Sequence, residues 1–197
     1  MKIQRKKQIM TEATMIVSKD GLNSLTMSAV AKRVGVTEGA LYRHFSSKND
    51  LIMEILHDIF METTNQISEV SSQNITNSEK LEYIIINQLS MFKDRPAQAN
   101  FLFAEEYFLT NHSIKVMVYT IINTVQLFLQ EIFESGKSNG EFKSTVEPRH
   151  VSLMFLGMIR MLVMNWKLSD YQWDLSAIGK NYFYSFLLMI QQKNFNN

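Results

Sequence analysis

Two prolines and seven glycines in 197 residues leave this chain with few of the corners that a sheet protein needs. Apolar residues instead recur at helical period almost from end to end. From Ile3 to about Lys19, Ile9, Ala13, Ile16 and Val17 fall at i, i+4, i+7 and i+8, with Lys and Gln opposite, and Asp20-Gly21 supplies the stop. Thr26 is placed to cap a short helix over Met27 to Val34, with Gly35 just past its end, and Thr37 to cap another over Glu38 to His44. Ser47-Lys48-Asn49-Asp50 reads as a capping box, with Asp50 returning to the Ser47 amide, and opens a helix through Leu51, Ile55 and Ile59 to about Ile67. Ser71 to Ser78 is a polar break. Beyond it the spacing predicts helices over about 78–93, 96–109, 113–135, 148–168 and 175–192, with Pro96 and Pro148 at first helical positions, where a missing amide costs nothing. No strand, repeat or low-complexity tract is legible. The expected fold is all-α with about nine helices: a three-helix N-terminal domain over 1–47, then a helical bundle over 48–197, in which the helix at 48–67 is the connector.

Composition narrows the function classes. Hydrophobic residues are 46% and charged residues 20%, ordinary for a folded soluble chain. Cysteine is absent, which excludes a disulfide framework, a thiolate metal site and a Cys nucleophile. The basic opening Met1-Lys2-Ile3-Gln4-Arg5-Lys6-Lys7 is not followed by the apolar stretch of a signal peptide, and the most apolar run, Leu153 to Met164, is short for a bilayer and carries Arg160. A cytoplasmic protein is expected. His44, His57, His112 and His150 are scattered without ligand spacing, so no metal and no cofactor is expected. No Ser-His-Asp grouping, nucleophile elbow, phosphate-binding loop or dinucleotide fingerprint appears, so an enzyme is not expected. The net charge of +1 hides a division: residues 1–50 hold nine Lys/Arg and four Asp/Glu, and residues 51–197 hold eleven and fifteen. A basic head on an acidic body is what a polyanion-binding module attached to something else shows, although clustering of solvated charges produces the same arithmetic.

The segment from Leu22 to Leu51 carries the most information. Two short helices separated by Val34-Gly35-Val36-Thr37 make a helix-turn-helix. Gly35 allows the left-handed turn, and Ala31, Val34, Val36 and Leu41 supply the apolar seam. Such a unit sets its second helix, here TEGALYRHF, in the major groove of DNA. Gly39 and Ala40 let the backbone approach closely, and Tyr42, Arg43, His44 and Lys48 are donors at the phosphate margin. Lys6 and Lys7 either add phosphate contacts from the first helix or merely solvate it. Leu22, Leu25, Val30, Ala31, Val34, Val36, Leu41 and Phe45 are read as core.

The stretch LTMSAVAKRVGVTEGALYRHFSSKNDL resembles the DNA-binding segment of the tetracycline-repressor (TetR/AcrR) family. Thr26, Ala31, Gly35, Val36, Leu41, Tyr42, His44, Phe45, Lys48 and Leu51 fall on its typed positions, with Val30 and Thr37 as mild variants. The match covers about residues 5–60. The remainder agrees in length, helical pattern and a Gly140-Glu141-Phe142 turn before the terminal helix pair. The resemblance implies a homodimeric repressor that binds a palindromic double-stranded DNA operator and releases it when a small ligand occupies the C-terminal domain. Carried over by position, it implies that Thr26, Tyr42, His44 and Lys48 hold phosphates while Ser28, Thr37, Glu38 and Gly39 face base edges. For Glu38 two readings stand: acceptor for a cytosine amine, or stabiliser of the helix N-terminus. A DNA-binding regulator controlled by a protein partner, with no small-molecule effector, is the alternative.

Residues 78–192 hold most of the 13 Met and 13 Phe. Such stripes are core, and Met also suits a pocket for bulky apolar guests. The resemblance implies a cavity there for an unidentified small-molecule effector, and the candidate lining is Phe92, Phe101, Glu105, Met117, Asn123, Phe155 and Arg160. An acidic residue at 105 or 106 is read either as a partner for Arg160, as a contact for a cationic ligand, or as an exposed charge. The last two helices read as too apolar for a monomer surface. Val151, Phe155, Met158 and Leu162 on one, and Tyr182, Phe186 and Ile190 on the other, are the candidate homodimer interface; packing inside the chain is the plain alternative.

Overall fold

Ten α-helices and one 3-10 turn account for the structure of residues 2–192, described by a computed structural model in which the side chains of Lys2, Ile3 and Glu105 lie outside the described residues. Among the described residues the one extended pairing is an isolated antiparallel bridge between Phe142 and Gln191. The chain divides into two compact units, Met1–Thr63 with Arg95–Ile121 and Thr64–Asp94 with Ile122–Asn197. This division differs from the sequence boundary at 47/48, because the segment after Arg95 packs with the N-terminal helices.

In the first unit, α1 (Lys2–Asp20) turns Ile9, Ala13, Ile16 and Val17 inward, each at most 5% exposed. The 3-10 turn Leu22–Ser24 leads into α2 (Met27–Val34) and α3 (Glu38–Tyr42), and α4 (Lys48–Ser72) follows. Of the residues read as core in this region, all but Val36 are buried. The helix expected over 96–109 is two, α6 (Pro96–Leu102) and α7 (Glu105–Leu109), with Phe103 and Ala104 in non-helical conformations. No Pro or Gly marks the break. Long-range anchors hold either side of it: Asn100 Nδ2 donates to the Val17 carbonyl at 2.8 Å, and the Tyr107 hydroxyl donates to Asn49 Oδ1 at 2.7 Å.

The second unit is built from α5 (Asn77–Asp94), the later part of α8 (His112–Ser138), α9 (Pro148–Leu168) and α10 (Leu175–Ile190). Its centre is aromatic. Phe133, Phe155 and Phe186 have ring centroids 5.7 to 6.4 Å apart in edge-to-face pairs, with Phe142 and Phe183 against them. Helix α5 lies against α10, where Gly179 faces the side chain of Leu89. The apolar run at 153–164 sits within α9, and α8 and α9 are each long and apolar enough to cross a bilayer by composition. In this unit their inward faces are occupied by Phe133, Phe155, Ile159 and Leu162.

The Gly140-Glu141-Phe142 turn ties this unit together. Gly140 adopts φ +77°, which ends α8 and which a side chain would oppose. Phe142 drops its ring over Gly136 and is 1% exposed. Glu141 caps α5: its carboxylate accepts from the Asn77 amide and side chain, both at 3.0 Å, and from the Ser78 amide at 2.6 Å. Partial burial raises the Glu141 carboxyl pKa, but the bonds from Ser78 and Asn77 outweigh it and hold the group below its ordinary range. Because the folded pKa lies below the unfolded one, this stabilisation is present above the unfolded carboxylate range and is lost as pH falls through the folded value. Glu141→Gln is expected to cost about 1–2 kcal/mol in urea unfolding at neutral pH. The deficit should shrink as the pH is taken below 4 (about the carboxylate range).

Candidate DNA-recognition site

A five-residue helix such as α3 cannot hold itself together, since isolated helices shorter than roughly 12–15 residues are marginal in water. Its neighbours on both sides hold it. Thr26 Oγ1 accepts from the Ala29 amide at 3.1 Å to start α2. Gly35, at φ 74° and ψ 39°, turns the chain in the left-handed region, and the Val36 amide returns to the Ala31 carbonyl at 3.0 Å. Thr37 Oγ1 accepts from the Ala40 amide at 3.2 Å to start α3. Leu41 and Phe45 then anchor the inner side, at 0% and 1% exposed. The helix ends at Tyr42, with Arg43 as its C-cap, two residues short of the expected limit. Helix α4 starts at Lys48 behind the Ser47 cap as expected, with Ser47 Oγ accepting from the Asp50 amide at 3.1 Å, but the return bond is shifted by one residue: Asp50 accepts from the Ser46 amide at 2.8 Å.

These contacts leave a polar outer face. Thr26, Ser28, Thr37, Glu38, Gly39, Tyr42 and Arg43 are exposed, and His44 and Lys48 are half-buried. Thr26 and Thr37 use an oxygen lone pair to cap, so each keeps its hydroxyl proton to donate elsewhere. A Cβ built on Gly39 meets no atom of the chain within 4 Å, so nothing in the packing demands glycine there. Its bare backbone is available to something approaching from outside. Glu38 occupies the first turn of α3, where a carboxylate complements the helix dipole.

Two features were not legible in the sequence. Lys48 Nζ lies 4.9 Å from the centroid of the Tyr107 ring, beside the Tyr107–Asn49 hydrogen bond, so α7 holds the start of α4. Burial lowers the Lys48 pKa and raises that of Tyr107. Lys6 pairs with Glu54 and lies 5.4 Å from the Phe45 ring centroid, an inward engagement, whereas Lys7 is exposed. Both pairings join residues far apart in the chain, which spacing cannot register.

The other candidate residues are distributed as follows. Phe101 is buried and Met117 half-buried in the first unit, and Glu105 has its side chain outside the described residues. Phe92 and Phe155 are buried in the second unit, Asn123 is half-buried there and Arg160 is exposed. Phe155 belongs to the packed aromatic cluster. Among the interface candidates, Val151, Phe155, Leu162, Phe186 and Ile190 are buried inside the second unit, Met158 is half-buried and Tyr182 is exposed. A stripe of large apolar residues looks the same whether it meets its own chain or another, so periodicity could not separate the two. The apolar side chains left on the outside of α9 are Leu153, Met154, Met161, Met164 and Leu168, accompanied on α10 by Leu188 and Met189.

Comparison with known proteins agrees with this geometry. A model described as bacterial regulatory proteins, tetR family, matches residues 9–55, and one described as YsiA-like protein, C-terminal region, matches residues 56–190. The chain belongs to the tetR family of bacterial regulatory proteins, as a DNA-binding transcriptional regulator and not an enzyme. The fatty acid metabolism regulator protein of Bacillus subtilis (strain 168) is 24% identical over 185 residues, covering 92% of this chain and 94% of that one. Nucleoid occlusion factor SlmA of Vibrio campbellii is 23% identical over 180 residues, covering 89% and 90%. The crystal structure of FadR from Bacillus subtilis in complex with stearoyl-CoA superposes with a TM-score of 0.78 at 21% identity, covering 92% and 97%.

Gly39→Ala separates fold from recognition. The substitution is expected to leave the thermal midpoint unchanged or slightly raised, since Ala favours a helix by up to about 1 kcal/mol over Gly. Binding to cognate duplex, read by fluorescence anisotropy, should weaken at least about tenfold if the backbone meets DNA there. Lys48→Gln is expected to weaken binding to all duplexes alike and to make the slope of log K against log salt shallower by about one per subunit.

Proposed function

We propose that this regulator is a homodimeric repressor. Its two copies of α3 read the half-sites of a palindromic operator, and a small, largely apolar effector bound in the C-terminal region lowers that affinity. The observation that carries the reading is the outer face of α2 and α3: exposed hydroxyls and a bare glycine on a helix pinned from within. In this reading Thr26, Tyr42, His44 and Lys48 grip phosphates, and Ser28, Thr37, Glu38 and Gly39 meet base edges. The exposed side chains on α9 support the dimer. Leu153, Met154, Met161, Met164 and Leu168 recur at helical spacing opposite the buried face, and a soluble monomer rarely leaves such a stripe in water. Two-fold pairing sets half-sites about 34–36 Å apart.

For the effector we favour a long acyl chain on a polar carrier. Support comes from the similarity to FadR, whose structure holds stearoyl-CoA, and from a Met- and Phe-rich C-terminal half able to repack around such a chain. The ligand can release DNA only through different affinities for two arrangements of the protein, typically 1–3 kcal/mol of coupling. A second reading is a DNA-binding regulator controlled by a protein partner with no small-molecule effector; one similar protein is named for nucleoid occlusion and not for a metabolite response.

The deciding experiment is anisotropy of the purified protein on duplex from its own upstream region, at two salt concentrations, with and without stearoyl-CoA. Salt-dependent preference over scrambled duplex, lost with stearoyl-CoA, is the expected result. No preference for that or any promoter duplex overturns the repressor. Preference untouched by stearoyl-CoA removes the acyl effector and favours the partner-controlled reading. The double variant Met161→Asp, Met164→Asp is expected to sediment as a monomer with its helical circular dichroism intact. Its operator affinity should fall by more than about tenfold, because the second half-site contact is no longer intramolecular.

A further inference from the structure

Lys6, Lys48 and Lys180 each hold an ammonium over an aromatic ring, 5.4 Å from the Phe45 centroid, 4.9 Å from that of Tyr107 and 5.6 Å from that of Tyr184. Two of them are also neutralised by a carboxylate: Lys6 by Glu54 at 2.5 Å, and Lys180 by Glu82 at 3.1 Å. Lys48 has no carboxylate partner among the described residues, although its ring distance is the shortest of the three. An aromatic face attracts a cation through its quadrupole without cancelling the charge. Half-buried against that face, the Lys48 ammonium is ordered and partly stripped of water, and its whole charge is left for an anion arriving from outside. The ring is held in turn. Tyr107 is half-buried on α7, and its hydroxyl donates at 2.7 Å to Oδ1 of Asn49, the residue after Lys48 in the first turn of α4. One side chain from α7 thus engages two consecutive residues of α4, by its face and by its edge.

We propose that Tyr107, which lies outside the helix-turn-helix, is a positioning residue for DNA affinity: its ring holds the Lys48 ammonium in place for a backbone phosphate. The inference rests on the reading of Lys48 as a phosphate contact given above. A lysine side chain loose in solvent gives up rotamer freedom and hydration water when a phosphate fixes it. Laid on the Tyr107 ring, Lys48 has surrendered part of both before DNA arrives, so the contact forms at a smaller cost. The same reasoning separates Lys48 from Lys6, whose charge is already spent on Glu54. Because a phosphate contact carries no base information, Tyr107 acts on affinity for duplex of any sequence.

The test is therefore fluorescence anisotropy of the full chain on a random-sequence duplex at low salt, which needs no operator. Tyr107→Leu is expected to bind about three- to tenfold more weakly, and Tyr107→Phe, which keeps the ring face, to stay within about twofold of the unaltered protein. Fluorinated phenylalanines at position 107 withdraw charge from the ring face while keeping its shape, so affinity should fall with each added fluorine, a trend that packing alone does not produce. In a Lys48→Gln background, Tyr107→Leu should add less than about twofold, since the two residues act as one unit. In the unaltered protein the NMR signals of the Lys48 ε-methylene protons should be displaced upfield by the ring and return to ordinary positions in Tyr107→Leu. A flat fluorinated series, an undiminished Tyr107→Leu effect in the Lys48→Gln background, or undisplaced ε-methylene signals would each overturn the inference while leaving the Lys48 contact standing. Lys48→Gln binding as tightly as the unaltered protein would instead remove the phosphate contact itself, and the inference with it. Should Tyr107→Leu lose its helical circular dichroism, the fluorinated series and the ε-methylene signals decide.

Discussion

The inward stripe of α1 is shared between two neighbours. Ile9, Ala13, Ile16 and Val17 are buried where α1 packs on α2 on the one hand and on α6 on the other. Full burial of an aliphatic side chain stabilises by about 1.5–3 kcal/mol, against about 0–1 kcal/mol for an exposed ion pair such as Arg33–Glu12. Apolar contact therefore sets the position of α2, and the ion pair adjusts it. From α2 the Gly35 turn places α3. From the far side, α6 and α7 reach α4 through Arg95–Glu62 and Tyr107–Asn49. The helix-turn-helix and the segment at 96–109 are thus two attachments to one scaffold helix.

Much of this was legible where the chemistry is local. The stripe on α1, the caps at Thr26 and Thr37, the left-handed Gly35 and both proline helix starts are each decided within about four residues, and spacing alone expresses them. What escaped is decided at long range. The break at Phe103-Ala104 has no Pro or Gly to announce it and is fixed by Asn100 meeting Val17 and Tyr107 meeting Asn49. The capping of α5 by Glu141 joins residues more than sixty positions apart. On α9, Phe155 and Met161 are equally apolar in the sequence. Only packing shows one at the centre of an aromatic cluster and the other half in solvent.

The two halves of the chain also differ in how closely their residues are specified. In the first fifty positions, threonines, glycines and aromatics have duties of angle or hydrogen bonding that few substitutes meet. In the second unit the Phe, Leu and Met core is a problem of volume, and volume-conserving exchanges in such a core usually cost less than about 1.5 kcal/mol. The Gly140-Glu141-Phe142 turn is the exception, because its residues supply, in order, a positive φ, a helix cap and a buried ring. No one of the three can stand in for another, so a short motif is legible there in an otherwise permissive region.

The brevity of α3 has a consequence for how such a protein changes over time. Its hold on the rest of the unit passes through Leu41, through Phe45 just beyond it and through the Thr37 cap, leaving positions 38, 39, 42 and 43 outward and free of packing duty. On the reading proposed above, stability and target preference are therefore stored in different residues only one or two positions apart. On that reading a lineage can rewrite what the helix reads, one outward side chain at a time, while the chain keeps folding as before.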